Sequence, residues 1–410
     1  MPSEQAVSTS MGAREPGALA APGEIALCVP HLAGNEWAYV KDCLDTNYVS
    51  SVGSYVTRFE RAIADRVGVP HAVATVTGTA ALHIALLVAG VEPEDEVLVS
   101  TLTFIAPVNA IRYVGAIPVF IDAERTFWQM DPDAVREYTT TQCTWSGGVL
   151  RNRVSGRRVR AILPVHILGH PVDLEPLAQL AREYALTLIE DATESLGAAY
   201  RDRPVGSIGH LACFSFNGNK LITTGGGGML VTANASWARR AKYLTTQAKD
   251  DAIEFVHGEV GYNYRLTNVA AALGCAQLEN LDQYIDAKRR IAQTYTTAFT
   301  NVSGLTPMTE APWGTSVWWM FTVLVDPDAF GCDSRALLHE LANEGIQARP
   351  LWQPIHQSPS SPSEERRACP VADALNAMAL SLPCSVGLTE RDQARVIDAV
   401  LRAGRRPLEA

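Results

Sequence analysis

A single lysine, Lys220, stands between the run Phe214-Ser215-Phe216-Asn217-Gly218-Asn219 and, after Leu221-Ile222-Thr223-Thr224, four consecutive glycines from Gly225 to Gly228. Glycines let a backbone approach a bound group closely and adopt positive φ. A lysine desolvated beside such a loop can lose its proton near neutral pH, and a neutral amine forms an imine with an aldehyde. Taken alone, the lysine would read as a solvated side chain before a flexible turn. Upstream residues change that reading.

Thr187-Leu188-Ile189-Glu190-Asp191 ends an apolar strand in a carboxylate. Ligands of open α/β sheets sit at the carboxyl ends of strands. A carboxylate there can keep a pyridine nitrogen protonated through a charge-assisted hydrogen bond worth roughly 1.5–3 kcal/mol. A lone Asp191 would read as a helix cap, but one segment and one strand return the chain from it to Lys220. Glu194 lies three residues on, placed to meet a phenolic oxygen or to close a capping box. Val76-Thr77-Gly78-Thr79 is a strand, a glycine turn and a helix start. Amides at a helix N-terminus attract phosphate, and the Thr79 hydroxyl adds a donor, although many such turns are purely structural. Ser215 is a second phosphate donor or a buried serine bonded to backbone. Phe104, opening a helix after the next strand, offers a ring to stack on a pyridine or to fill the core. A phosphate notch, an acid and an amine, in this order along the chain, are what pyridoxal phosphate (PLP) requires.

A second set of residues suits a larger substrate. Gly261-Tyr262-Asn263-Tyr264-Arg265 is dense in polar and aromatic groups, and Asn263 and Arg265 could reach an anion or belong to a solvated loop. Trp318-Trp319 and Arg349-Pro350-Leu351-Trp352-Gln353-Pro354-Ile355-His356 carry rings and hydrogen-bonding groups fit for a sugar or base. Trp352 and His356 are the candidates there, with interdomain packing as the alternative. His166 either faces the pocket or is a satisfied core histidine.

The elements that must position these groups are legible as apolar β-type runs at Ala72–Val76, Glu96–Ser100, Ile117–Ile121, Val159–Val165, Thr187–Glu190, Leu211–Phe216 and Met229–Thr232. Helical segments at Thr79–Val88, Pro107–Val114 and Glu175–Tyr184 alternate with them. Continuous apolar strands between helices predict a mainly parallel sheet covered on both faces, hence an α/β fold. Residues 140–158 read as a loop or small hairpin. A long helix is predicted from Asn268, as its N-cap, to about Thr300. Beyond it come a strand at Trp318–Val325, a helix at Ser334–Asn343, a loop at Arg349–Pro354 and a closing helix at Thr389–Ala403. The organisation expected is a flexible tail over 1–24, a large domain over 25–280 and a small α+β domain over 281–410.

Composition narrows the class further. The 410 residues are 47% hydrophobic and 19% charged, ordinary for a globular protein. A net charge of −10 and a pI near 5.4 argue against nucleic-acid or anionic-membrane partners, which need basic surface. The eight scattered cysteines contain no C-x-x-C pair, so neither a zinc site nor a disulfide framework is expected, and reduced cytoplasmic thiols are. No apolar run reaches the length of a membrane helix, and the N-terminus has no apolar h-region. G-x-G-x-x-G after the first strand, the P-loop and H-E-x-x-H are absent.

These motifs together resemble the PLP-dependent nucleotide-sugar aminotransferases of the DegT/DnrJ/StrS type, from about Ile25 to the C-terminus. Thr77–Leu82, Glu190–Gly197, Phe214–Lys220 with its glycines, and Gly261–Thr267 occur in family order. Asn47–Gly53, Thr246–Lys249, Val256–Gly261 and Arg349–Trp352 look closer to the LegC-like branch, which makes 4-amino sugars. The tail and the Trp318-Trp319 pair depart from that pattern. The resemblance implies an aspartate-aminotransferase-like fold (type I PLP enzyme). It makes Lys220 the Schiff-base lysine and Asp191 the pyridinium partner. It puts Glu194 near the phenolic oxygen, Phe104 on the ring, and Gly78, Thr79 and Ser215 on the phosphate. It implies an asparagine at Asn263 supplied by a partner subunit, hence a homodimer, with L-glutamate as donor and pyridoxamine phosphate as the alternate cofactor form. The acceptor would be a nucleotide-linked 4-keto-6-deoxyhexose, 2-acetamido-bearing in that branch; a 3-keto sugar is the alternative. Relatives that act as dehydratases have a histidine where Lys220 stands, and a catalytically silent homologue would not need Lys220 with Asp191.

Overall fold

The computed structural model describes residues 23–251, 253–362 and 367–404. Nearly all of the expected tail therefore lies outside the described residues. Its last two residues lead into Ile25, whose N–H donates to the Gly345 carbonyl at 2.8 Å.

Seven strands form the central sheet: β1 (His71–Thr75), β2 (Glu96–Ser100), β3 (Ile117–Ile121), β4 (Val159–Leu163), β5 (Thr187–Asp191), β6 (Leu211–Ser215) and β7 (Gly228–Thr232). Their spatial order is β1-β7-β6-β5-β4-β2-β3. The pairs among β6, β5, β4, β2 and β3 are parallel, while β7 runs antiparallel to both β1 and β6. All residues of β2, β5 and β7 are buried, as strands covered on both faces must be. One face packs Phe59, Phe214, Phe216 and Met229; the other packs Leu82, Ile84, Val99 and Ile189. Each such side chain contributes roughly 1.5–3 kcal/mol by leaving water. The expected strands and helices appear within one or two residues of their predicted ends, and 143–152 form the small hairpin, turning at Gly147 and Gly148 with φ of 58° and 76°.

A second, antiparallel sheet comprises β8 (Leu305–Pro307), β9 (Phe321–Val325), β10 (Arg349–Pro350) and β11 (Ala379–Leu382), in the order β8-β9-β11-β10. The apolar core on the Leu82 face continues into it through Tyr295, Phe321 and Val323.

Three expectations need correction. The loop expected at Arg349–Pro354 opens as strand β10, whose Arg349 and Pro350 pair with Ser381 and Leu380. The long helix from Asn268 is two helices, Asn268–Glu279 and Leu281–Phe299, which meet at Asn280. The Asn280 side-chain amide bonds the Ala276 carbonyl at 3.2 Å and stops the first. Its cap is Thr267, whose hydroxyl accepts from Ala270 N–H, whereas Asn268 turns inward. The strand expected from Trp318 begins only at Phe321, because Trp318 adopts φ of 51° and the preceding chain crosses to Gly169, where Val317 N–H donates to the Gly169 carbonyl.

Candidate active site

Apart from β7, the strands run one way, so their carboxyl ends open on one edge of the sheet. Asp191 ends β5 and Ser215 ends β6, while the reversed β7 starts there at Gly228. The register sets Ser215 opposite Gly228 and Gly228 opposite Thr75. The turn after β1 thereby meets the end of β6. A Cβ on Gly78 would lie 2.8 Å from Ser215 Cβ and 3.1 Å from Thr193 Cγ2, and one on Gly228 would lie 2.3 Å from the Thr77 carbonyl oxygen. Only glycines allow this approach. Thr77 caps the helix Gly78–Val88, its hydroxyl accepting from Ala80 N–H at 3.0 Å. The first amides of a helix have no carbonyl one turn back, so Gly78 and Thr79 present N–H groups beside the Ser215 hydroxyl. The notch suits a phosphate.

Asp191 is 2% exposed and accepts the Thr193 N–H at 3.1 Å. Burial pushes its carboxyl above the ordinary range, and the Thr193 hydrogen bonds and the charges of Lys220 and His166 pull it only partly back. A cationic ring nitrogen would supply the missing counter-charge. Lys220 lies in the loop between β6 and β7, its N–H bonded to the Asn217 carbonyl at 3.0 Å. Its Nζ lies 3.4 Å from Glu194 Oε1, with the two side chains 14% and 5% exposed. Glu194 Oε2 accepts from Leu168 N–H at 2.8 Å. Burial raises the Glu194 carboxyl too, opposed first by Lys220. Phosphate notch, buried acid and amine thus share one edge, and these residues fit PLP by its phosphate, its ring nitrogen and its aldehyde.

The remaining candidates separate into two groups. Phe104, 55% exposed, and Trp352 line a cavity of about 230 Å³ with Thr103, Ile105, Gln353, Ile355, Ser358 and Ser360. The exposed Asn263 lies on a segment bridged to Thr246, beside the Tyr264 carbonyl that accepts from Val76 N–H. The other three candidates have their polar atoms engaged within the chain. His166 is fully buried; its Nε2 faces Glu190 at 3.1 Å and its Nδ1 accepts from Val172 N–H at 3.0 Å. Burial by itself would raise Glu190, but His166 and the Gly209 and Gly206 amides outweigh it and hold the carboxyl low. His356 lies between the Thr101 hydroxyl at 2.8 Å and Asp373 at 3.2 Å. Arg265 pairs with Glu60 at 3.0 Å, alongside Lys242.

Sequence reasoning gave no role to Thr193, which wedges between Gly78 and Asp191, and read Trp319, with Trp318, as a ring for a sugar or base or as interdomain packing. The Trp319 ring lies 4.0 Å from Lys220 Nζ. Its position next to Trp318 was visible, but nothing local shows that a tryptophan so far along the chain folds back over the lysine.

The profile described as the DegT/DnrJ/EryC1/StrS aminotransferase family matches residues 30–401. The GDP-perosamine synthase of Caulobacter vibrioides is 38% identical over 92% of this chain and 97% of its own. A UDP-N-acetyl-3-dehydro-alpha-D-glucosamine 3-aminotransferase of Acidithiobacillus ferrooxidans is 34% identical over 86% of this chain and 89% of its own. The crystal structure of the aminotransferase TlmJ from Streptoalloteichus hindustanus superposes with a TM-score of 0.84 at 26% identity, covering 93% of this chain and 99% of that one.

Proposed function

The chain belongs to the DegT/DnrJ/EryC1/StrS aminotransferase family, PLP-dependent enzymes acting on nucleotide sugars, and from that premise we propose that it transfers an amino group from L-glutamate to the C4 keto group of a nucleotide-linked 4-keto-6-deoxyhexose. The observation that carries this reading is the convergence of Lys220, Asp191 and the Gly78–Ser215 notch on one sheet edge. The resemblance of residues 47–53, 246–249, 256–261 and 349–352 to 4-amino-sugar enzymes supports C4. The relative named GDP-perosamine synthase makes a GDP-linked sugar the first to test.

Bound PLP supplies an electron sink that lets a carbon next to nitrogen give up its proton. The protein does the rest. The Gly78 and Thr79 amides with Ser215 would hold the phosphate, and Asp191 would hold the ring nitrogen in its protonated form. Lys220 would hold the aldehyde, and its Nζ, when free, would act as the base that takes the donor Cα proton. In the second half of the cycle the same Nζ moves a proton in the opposite sense and sets the configuration of the new amine. Phe104 would cover the ring, and the cavity lined by Phe104 and Trp352 would receive the sugar. Binding energy from the nucleotide, remote from the reacting carbon, positions the ketone. We further propose a cytoplasmic homodimer in which Asn263 completes the partner's phosphate site; among the described residues no helix is long and apolar enough to cross a membrane.

The relative named as a 3-aminotransferase favours C3 as the second reading. Enzyme first converted to its amine-loaded form with glutamate, then mixed with GDP-, UDP- and dTDP-linked 3-keto and 4-keto sugars, decides between them. The expected product carries nitrogen at C4 by NMR. Amination confined to 3-keto substrates overturns the proposal.

A further inference from the structure

Trp319 touches Lys220 in more than one way. Its indole face lies 4.0 Å from Nζ. Its Nε1 donates to the carbonyl of Asn219, the residue before the lysine, at 2.8 Å. Its own carbonyl accepts at 2.8 Å from Lys288 Nζ, which is buried with the thiols of Cys28 and Cys384 at 3.6 and 3.5 Å. Trp319 therefore fixes both the backbone that presents the lysine and the space that its amine occupies. Only 4% of Trp319 is exposed, and Trp352 stacks behind it at 6.2 Å and 10°. Trp352, not Trp319, is the ring of this pair that lines the open cavity.

The chain pays attention to this placement with unusual backbone. Trp318 has φ of 51°, and Leu168 and Gly169 opposite it have φ of 61° and 90°. A Cβ on Gly169 would lie 2.7 Å from Trp319 N. Non-glycine residues persist in this conformation only where their surroundings over-determine it, and they cluster at functional sites. Leu168 also donates its N–H to Glu194, so the two strained segments hold both walls around Nζ.

We infer that Trp319 is a positioning residue: its ring and Glu194 form a two-sided seat for the Lys220 ammonium whenever the lysine is free of the cofactor. This rests on the function proposed above. A tryptophan face attracts an ammonium, and Glu194 attracts it from the other side. On accepting the donor Cα proton, Lys220 becomes that ammonium, and it must remain within reach to give the proton up again. A flexible four-carbon stem would otherwise wander, and a misplacement near 1 Å costs on the order of 100-fold in rate. Because Lys220 serves as base and acid in both halves of the cycle, the seat serves both.

Trp319→Leu and Trp319→Phe test this. Each half-reaction is followed in a single turnover of loaded enzyme, once with glutamate and once with keto sugar. Cofactor-free protein is treated with an amine-acylating ester, and label on the Lys220 peptide is read by mass spectrometry. In Trp319→Leu both half-reactions should slow by a common factor of about 10–100, with apparent affinities for both substrates within about twofold of wild type. Label at Lys220 should appear several-fold faster, and Trp319→Phe should recover most of both properties. Slowing confined to the keto-sugar half, with weakened sugar affinity, would make Trp319 a sugar contact and overturn the inference; so would unchanged half-reactions with unchanged labelling. Should the leucine variant fail to fold, Trp319→Met, which also removes the aromatic face, is read by the same criteria. The labelling arm needs no substrate, so a wrong acceptor assignment would not disturb it.

Discussion

Asp191 is under opposite demands at the residue scale. It is buried and its carboxyl is raised by that burial, so the folded protein holds its proton more tightly than the unfolded chain does. A raised folded value means that its contribution to stability falls as pH rises through the unfolded carboxylate range. In cofactor-free protein at pH 7, Asp191→Asn should therefore increase Tm, and the gain should shrink towards pH 4; differential scanning calorimetry across that range measures it. The same change should lower turnover by about 100–1,000-fold, as expected when a preorganised charge is lost. Lys220→Ala should retain the fold by circular dichroism, lose borohydride-trapped cofactor mass on its peptide, and lose about 100–10,000-fold in rate. Gly78→Ala must push its Cβ against Ser215 and Thr193, and should weaken PLP binding about tenfold or more, read by equilibrium dialysis. Asp191, Lys220 and Gly78 were legible because each has a chemistry tied to a local pattern: strand-end acid, loop amine, glycine before a helix. Thr193 and Trp319 were not, since their roles depend on which distant segment packs against them.

Elements follow the same division. The strands were readable because burial on both faces demands continuous apolar runs, which few other structures tolerate. The split at Asn280 was not, because both helices beside it have good helical composition and only a side-chain bond to Ala276 marks the stop. Asn268 illustrates how an end can mislead. Its type and place suit a cap, yet Thr267 takes that role, and the Asn268 side chain accepts from Tyr55 N–H at 3.0 Å and donates to the Tyr48 carbonyl at 2.7 Å. It thus ties the segment before helix Ser54–Val67 to the sheet-covering helix Asn268–Glu279. Asn268→Ala should cost about 2–3 kcal/mol, visible as a lower denaturant midpoint with an unchanged slope, because a buried backbone N–H loses its partner.

On the scale of the whole molecule, apolar residues stand exposed along two stretches: Tyr48, Val49 and Val52, and Ile253, Phe255, Val256 and Val260. Such patches mark interaction surfaces, and Asn263 follows directly on the second. If Asn263 serves the partner's site, Lys220→Ala and Asn263→Ala proteins, each inactive, should recover on mixing up to about a quarter of wild-type turnover, since half of randomly exchanged dimers hold one intact site of two. No recovery after verified subunit exchange would remove the asparagine from the shared site. The reversed strand β7 has a consequence of its own. It starts at the edge where β6 ends, so Ser215, Lys220 and the glycines before Met229 all belong to one long hairpin tip. Loading clamps that tip at its base and at its apex together. Deuterium uptake over 216–228 should then drop sharply on loading, while the already paired amides of β4 keep their slow exchange.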